Sequence, residues 1–239
     1  MAKPRGTAKP KVVSREKWLA ARKALLKKEK AFSKVRDALA RERRKLPWVK
    51  VEQAYVFDGP AGRASLADLF DGRSQLLVYH FMFPPEWENG CKHCSFWADH
   101  YDAATGAHLK AKDVSFAVIS RAPVSKIEPF KRRMGWQFRW LSSGGNSFNY
   151  DFGASFTPAQ VKSGAKVFNY GQAAGFSDRE GLSAFCKDAA GNIFHAYSTW
   201  ARGIDLLNGT YNMLDLAPKG RNENPNATQS WVQYRDSYK

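Results

Sequence analysis

Two cysteines separated by two residues, Cys91 and Cys94, are the side chains of this sequence whose spacing most clearly permits chemistry. A Cys-x-x-Cys pair can exchange electrons by forming and breaking a disulfide, or it can supply half of a zinc site. In redox exchange one thiolate attacks a disulfide and the second thiol resolves the mixed disulfide that forms. We expect a catalytic dithiol with Cys91 as the nucleophile and Cys94 as the resolving residue.

The reactivity of Cys91 would come from its position at the start of a helix. Residues 75–83 form a nearly continuous apolar run, typical of a strand buried on both faces, and residues 94–104 predict a helix. A thiolate at a helix N-terminus faces unpaired backbone N–H groups and the positive end of the helix dipole. We therefore expect the pKa of Cys91 to lie below about 8.5. Lys92 and His93 would tune the redox potential rather than transfer protons.

Zinc binding is the main alternative chemistry for this cysteine pair. Zinc needs four protein ligands, or three and a water molecule. The chain has five histidines but no second Cys-x-x-Cys and no downstream histidine pair at zinc-finger spacing. We expect no metal, and no other cofactor either, because the two sulfurs themselves carry the electrons.

Aromatic side chains flank the dithiol at Trp87, Phe96 and Trp97. They would either pack in the core or form an apolar docking surface for the protein or small molecule whose thiol or disulfide reacts. We assign them to substrate docking as a prediction. Cys186 and His80 lie in apolar strand sequences, which favours a small core residue and a hydrogen-bonded core histidine.

The net charge of +16 is concentrated at one end of the 239-residue chain. Residues 1–50 hold 18 of the 38 Lys and Arg residues but only 4 of the 22 Asp and Glu residues. Most of the charge therefore belongs to an N-terminal arm, and nucleic acid is not an expected partner. No apolar run is long enough for a signal peptide or a membrane span, which favours the reducing cytoplasm.

The sequence predicts three regions. Residues 1–13 would be a disordered basic tail, residues 14–47 an amphipathic basic helix capped by Ser14, and residues 48–239 the main domain. Apolar residues recur every seven positions along the helix, as at Trp18 and Leu25. This narrow stripe would pack against the main domain, pair two copies in a homodimer, or leave a basic arm for an anionic surface.

The main domain alternates strand and helix patterns before it ends in a hairpin. Further strands are predicted at residues 51–57, 114–120, 136–141, 182–187 and 192–199, helices at 66–70, 123–134 and 209–216, and a long loop at 142–175. A parallel βαβ unit followed by an antiparallel hairpin produces a mixed sheet flanked by helices. We predict an α/β thioredoxin-like fold with an N-terminal helical extension.

Long stretches of the chain also carry a family resemblance. They are VSREKWLAARKALLKKEK, VYHFMFPPEWENGCKHCSFWADHYD, VSFAVISRAPVSKIEPFKRRMGW, FNYDFGASF and YSTWARGIDLLNGTYNMLDLAPKGR. The sequence resembles the bacterial family catalogued as domain of unknown function 899, whose members are labelled thioredoxin-like and predicted dithiol–disulfide oxidoreductases. The resemblance implies a thioredoxin-like fold and places the family's Cys-x-x-Cys at Cys91 and Cys94.

Three functions therefore remain open from the sequence. The leading hypothesis is a thiol–disulfide oxidoreductase acting on a protein or small-molecule substrate. A peroxide-reducing variant lacks the Pro-x-x-x-Thr-x-x-Cys pattern. The alternatives are a non-catalytic thioredoxin-fold binding protein and a zinc-binding domain. Thioredoxin folds usually place a cis-proline opposite the dithiol, and Pro158 does not clearly precede the right strand.

Overall fold

The computed structural model describes residues 11–239. Most of the predicted basic tail, residues 1–10, lies outside this range. The chain divides into two units between Pro47 and Trp48. The first unit contains the N-terminal helix, and the second contains the sheet and the cysteines.

The N-terminal helix α1 spans Arg15–Arg43. Ser14 caps it as predicted, since its Oγ accepts a hydrogen bond from the backbone N–H of Lys17 at 3.4 Å. The helix ends three residues before the predicted stop near Leu46, and two basic residues in its last turn complement the carbonyl end of the dipole.

The second unit is built on an eight-stranded mixed sheet. Within the described residues the strands are β1 (Val49–Lys50), β2 (Val56–Gly59), β3 (Gly62–Ser65), β4 (Gln75–His80), β5 (Val114–Ser120), β6 (Arg139–Ser142), β7 (Gly181–Lys187) and β8 (Ile193–Trp200). Their order across the sheet is β1-β8-β7-β4-β5-β6-β2-β3. Strands β4, β5 and β6 are parallel, while β7 pairs antiparallel with β4 and with β8.

Helices connect the strands and cover the sheet. They are α2 (Lys92–Ala98), α3 (Ala103–Lys110), α4 (Val124–Arg133), α5 (Phe148–Asp151), α6 (Pro158–Ser163) and α7 (Gly209–Leu216), with 3-10 turns at Ala67–Phe70, Ala201–Leu207 and Arg235–Ser237. The predicted helix over 66–70 appears as the first of these turns, and the predicted α7 has the expected bounds.

Three sequence predictions about the elements were wrong. The helix predicted at 94–104 is two helices, because the Asp102 side chain accepts the backbone N–H of Thr105 at 2.7 Å and starts a new one. The predicted strand 51–57 contributes only its last residues to β2. The supposed loop 142–175 contains α5 and α6. Local hydrogen bonds of this kind leave little hydrophobic periodicity in the sequence.

Two apolar layers sandwich the sheet. One contains Phe81, Cys94 and Trp140, and the other contains Leu76 and Phe148. Residues that alternate along β4 point into opposite layers, which explains the uninterrupted apolar run of its sequence. A parallel βαβαβ core joined to an antiparallel hairpin and covered by helices is the predicted thioredoxin-like arrangement, which is thereby confirmed.

Candidate functional site

The dithiol follows β4, which is a central strand of the sheet. After β4 the chain stays extended, and the N–H of Phe81 donates to the carbonyl of Ile119 at 3.0 Å. The next residue, Met82, contacts both cysteines through its backbone. Its carbonyl accepts the N–H of Cys91 at 3.0 Å, and its own N–H donates to Sγ of Cys94 at 3.4 Å. The extended segment after β4 thus positions the backbone of Cys91 and the sulfur of Cys94.

Cys91 occupies the N-cap position of α2. Its Sγ accepts a hydrogen bond from the backbone N–H of Cys94 at 3.5 Å. The sulfur thereby caps the helix, as a side-chain oxygen of Asp or Ser does at other helix N-termini. The carbonyl of Cys91 accepts the Ser95 hydroxyl at 2.9 Å, which fixes the first turn. Cys91 is partly exposed, whereas Cys94 is buried with 1% of its surface exposed.

The two thiols have opposite proton affinities. The Cys94 thiol donates a hydrogen bond to Cys91, and together with His93 and the backbone N–H of Cys94 it holds the pKa of Cys91 well below its ordinary value. Burial, followed by the hydrogen bond and negative charge of Cys91, raises the pKa of Cys94 well above its ordinary value. One proton is therefore shared unequally, and Cys91 carries the negative charge.

Lys92 and His93 occupy the first two positions of α2, and both are half-buried. His93 acts on the Cys91 sulfur through a hydrogen bond and through charge. This contact supports the prediction that His93 tunes the redox potential. The same prediction for Lys92 rests only on its position next to Cys91 in the sequence.

The loop before Cys91 is tied down from two other elements. The ammonium of Lys126 on α4 donates to the carbonyls of Pro85 and Trp87 at 3.0 and 2.9 Å. Near the C-terminus, the Tyr234 hydroxyl donates to the carbonyl of Gly90 at 2.7 Å. These contacts order a loop that contributes no strand pairing of its own, so the backbone enters α2 in one position.

Gly90 is a position where only glycine fits. A Cβ added there would lie 2.7 Å from ring atoms of Phe81 and Phe130, closer than real contacts allow. The absence of a side chain lets the backbone pass between two core rings immediately before Cys91.

Gly90→Ala is expected to destabilise the protein by about 1–3 kcal/mol, because an extra methyl group must displace packed aromatic rings. Urea unfolding would measure the loss. The control is Gly106→Ala on α3, where an added Cβ meets no atom within 4 Å and the better helix former should stabilise by about 0.5–1 kcal/mol. A neutral Gly90→Ala would contradict the described packing.

Glu180 is a charged neighbour of the dithiol that the sequence analysis missed. It immediately precedes β7, whose first residue Gly181 pairs with His80 at the end of β4. Burial first, and then the negative charge of Cys91, raise the pKa of the Glu180 carboxyl. Glu180 could be placed near the cysteines only by predicting that β7 of the hairpin pairs with β4.

Glu180→Gln is expected to make the reduction potential of the dithiol less negative, by on the order of 10–30 mV. The carboxylate opposes negative charge on both sulfurs, so its removal stabilises the thiolate of the reduced form. Equilibration with glutathione at pH 7 measures the potential. Glu52→Gln, which removes an exposed acid, should leave it unchanged, and an unchanged potential in Glu180→Gln would refute the electrostatic coupling.

The three predicted docking aromatics separate into two groups. Phe96 and Trp97 are only 8% and 3% exposed, and both pack edge-to-face on Tyr211 of α7. The Trp97 indole N–H donates to the carbonyl of Ile204. Their burial among other rings favours the alternative role in core packing, and the docking role of Phe96 and Trp97 stays a prediction. Trp87 is partly exposed in the loop before Cys91 and stays a docking candidate.

His80 and His195 belong to a buried hydrogen-bonded chain on the other face of the sheet. Nε2 of His80 lies 2.8 Å from Oγ of Ser183, which lies 2.8 Å from Oγ of Ser198, which lies 2.7 Å from Nε2 of His195. The predicted hydrogen-bonded core histidine at His80 is confirmed. A β-bulge between β7 and β8 helps to bring His195 and Ser198 to the same side of the strand.

Among residues 11–239, no three His, Cys, Asp or Glu side chains converge in a way that could hold a metal ion, so the zinc alternative finds no ligand set there. No cis peptide bond occurs in the same range, and Pro158 opens α6. Across the described residues, no helix is long and apolar enough to cross a membrane.

The strand order, together with a dithiol at the end of the central parallel strand, defines a thioredoxin-like protein. The chain belongs to the family described as "Bacterial protein of unknown function (DUF899)", whose model matches residues 7–238. The family resemblance seen in the sequence is confirmed. No curated protein sequence matches the chain.

The solved structures to which this chain is similar include the following three proteins. Peroxidoxin BcpB from Mycobacterium tuberculosis shares 13% identity at a TM-score of 0.45, covering 69% of this chain and 95% of its own. Peroxiredoxin Q from Xanthomonas campestris shares 11% identity at a TM-score of 0.47, covering 73% and 98%. A putative thiol:disulfide interchange protein DsbE from Chlorobium tepidum shares 12% identity at a TM-score of 0.40, covering 71% and 95%.

Proposed function

We propose that this protein is a thiol–disulfide oxidoreductase that uses Cys91 and Cys94. The observation that carries the proposal is the unequal pair of thiols. Cys91 is partly exposed and three hydrogen-bond donors stabilise its sulfur as a thiolate, and one of these donors is the buried Cys94 thiol. A reactive thiol and a protected resolving thiol are what two-step disulfide exchange requires.

In the first step the Cys91 thiolate attacks one sulfur of a substrate disulfide. A mixed disulfide forms, and the other substrate sulfur leaves as a thiolate and takes up a proton. In the second step Cys94 loses its proton and attacks Sγ of Cys91, which forms the intramolecular disulfide and releases the second substrate thiol. Two electrons pass from the dithiol to the substrate, and an external thiol must return them.

The same geometry determines when each step occurs. While Cys91 is a thiolate, its charge and its hydrogen bond keep Cys94 protonated. Once Cys91 is bound in a mixed disulfide that charge disappears, so Cys94 ionises more easily. The resolving thiol therefore becomes active only after substrate has reacted, which limits premature attack.

The substrate would approach Cys91, which is partly exposed, and Trp87, which is partly exposed four residues earlier in the chain, is the docking candidate. An indole ring in the loop that leads into Cys91 suits an apolar side chain of a protein disulfide or the body of a small disulfide. We keep the reducing cytoplasm as the proposed compartment and a homodimer through α1 as the proposed assembly. The apolar seven-residue repeat of α1, which includes Trp18 and Leu25, supports that assembly.

Reduction of insulin by dithiothreitol, followed by turbidity, tests the proposal. The wild-type protein should accelerate the reaction, and Cys91→Ser should reduce the rate to that of dithiothreitol alone. Cys186→Ser is the matched control, since this third cysteine lies on β7 and should be dispensable. Equal acceleration by wild type and Cys91→Ser, or none by wild type, would favour a non-catalytic binding protein.

A further inference from the structure

Helix α1 carries an exposed apolar stripe, and none of its residues is buried. Large apolar side chains recur along it every seven residues, at Trp18, Leu25, Phe32 and Leu39. Because seven residues fall about 20° short of two full helical turns, these four side chains lie within about 60° of the helix circumference. Each of them keeps half or more of its surface exposed. An aligned apolar surface of this kind marks a site that a partner covers.

The same helix is strongly basic. It contains eleven Lys or Arg residues and four Asp or Glu residues, which gives a net charge of +7. Two of the acids are paired locally, since Glu29 lies 2.8 Å from Arg22 and Glu42 lies 2.9 Å from Lys45. A surface with this charge attracts anions, so the partner that covers the stripe must itself be negatively charged.

Basic side chains border the apolar stripe along both of its edges. At about 100° per residue, Lys17 and Lys28 lie beside one edge, while Arg22 and Arg36 lie at the other. Long basic side chains can rest their apolar stems on the stripe while their charged ends reach outward. An apolar band bordered by cations matches the boundary of a bilayer, where acyl chains meet anionic headgroups.

Two other kinds of partner match this surface less completely. A nucleic acid would neutralise the basic side chains but would leave the apolar stripe in water. A second copy of α1 would cover the stripe. However, Lys28 and Glu42 occupy the companion positions of the seven-residue repeat, where two parallel helices would bring like charges together. A homodimer through this stripe is therefore expected to be weak, and a bilayer would replace it.

We propose that α1 binds an anionic phospholipid bilayer by lying along its surface. The apolar stripe would enter the boundary between headgroups and acyl chains, and the bordering Lys and Arg side chains would contact lipid phosphates. With 29 residues the helix is about 43 Å long, so it would contact many headgroups at once. The proposal concerns the first unit alone and does not depend on the exchange activity proposed for the dithiol.

Flotation of the full-length protein with lipid vesicles tests the proposal. Vesicles of phosphatidylglycerol and phosphatidylcholine in equal parts should bind at least about tenfold more tightly than phosphatidylcholine alone. Added salt should weaken this binding, because it screens the headgroup charge. Equal binding to both kinds of vesicle, no binding to either, or tighter binding to a DNA duplex at physiological salt would overturn the proposal.

Two matched pairs of variants test which face of α1 is bound. Phe32→Gln, on the stripe, should weaken binding to the anionic vesicles about tenfold, whereas Leu26→Gln, outside the stripe, should have little effect. Lys28→Gln, beside the stripe, should weaken binding about fivefold, and Lys23→Gln, which removes the same charge from the opposite face, less than about twofold. Circular dichroism confirms that each variant keeps its helix. Equal losses within either pair would refute the proposed orientation.

Discussion

Iodoacetamide at pH 7 is expected to alkylate Cys91 about a hundredfold faster than Cys94 in the folded, reduced protein. Only thiolates react, and the pKa of Cys91 is lowered while that of Cys94 is raised. Accessibility acts in the same direction, since Cys94 is 1% exposed. Peptide mass spectrometry after short exposures measures the two rates separately. Denatured protein provides the control, because both cysteines should then react alike.

Substitutions at Cys94 identify the cause of this difference. The Cys94 thiol is the strongest single influence that lowers the pKa of Cys91, through its hydrogen bond. Cys94→Ser retains a donor and should keep the pKa of Cys91 low, whereas Cys94→Ala should raise it. Thiolate absorbance against pH measures both variants. Identical pKa values in Ser and Ala variants, or faster alkylation of Cys94 than of Cys91, would contradict the proposed roles.

The second large effect concerns acid stability and arises from His80. The protein is expected to lose about 2 kcal/mol of unfolding free energy between pH 7 and pH 5 because of this residue alone. Burial lowers the pKa of His80 to about 3. The ring is fully buried, stacked between Phe148 and Trp200 at centroid distances of 5.7 and 5.4 Å. Within residues 11–239 the ring's hydrogen-bond partner is the uncharged Ser183 hydroxyl, so no hydrogen-bonded carboxylate would compensate an imidazolium there.

The sign follows from proton binding. Below its ordinary pKa of about 6.5 the unfolded chain protonates His80, and the folded chain does not until the pH approaches 3. The unfolded state therefore binds more protons in this window, and stability falls with decreasing pH by up to about 1.4 kcal/mol per pH unit. Above pH 6.5 the full contribution is present.

Urea unfolding at pH 7, 6 and 5 tests this in wild type and in His80→Gln. The variant should be less stable at pH 7, since glutamine packs less well between two rings, but its stability should fall less steeply with pH. His108→Gln, at an exposed position on α3, should retain the wild-type slope. Equal slopes in wild type and His80→Gln would show that His80 does not carry the pH dependence.

Much of the second unit was predictable from hydrophobic patterning. The strand over Val114–Ser120 and the helix over Gly209–Leu216 have the expected bounds, because both are bounded by clear turn or capping signals. The predicted helix at 94–104 failed because Asp102 starts a second helix, and an aspartate in this context also occurs on helix surfaces. The hydrogen bond that the Asp102 carboxylate accepts from Thr105 decided between one continuous helix and two short ones.

The cysteine pair of the candidate site was predictable from the sequence, but its surroundings were not. Cys91 and Cys94 could be recognised from spacing, and the start of α2 from the buried strand before it. The packing of Phe96 and Trp97 on α7 could not be predicted, because an aromatic residue next to a motif gives no sign of whether a distant helix will cover it. Glu180 lies 86 residues from Cys94 and could only be placed once β7 was known to pair with β4.

By itself the sequence determined the dithiol, its place after a buried strand and the family to which the chain belongs, because these depend on residues close together in the chain. Only the tertiary structure decided how the thiols differ. Burial of Cys94 and the nearby charge of Glu180 depend on packing between distant segments. The proton affinity of a sulfur reflects its desolvation and its neighbouring charges, and both are set by the folded chain.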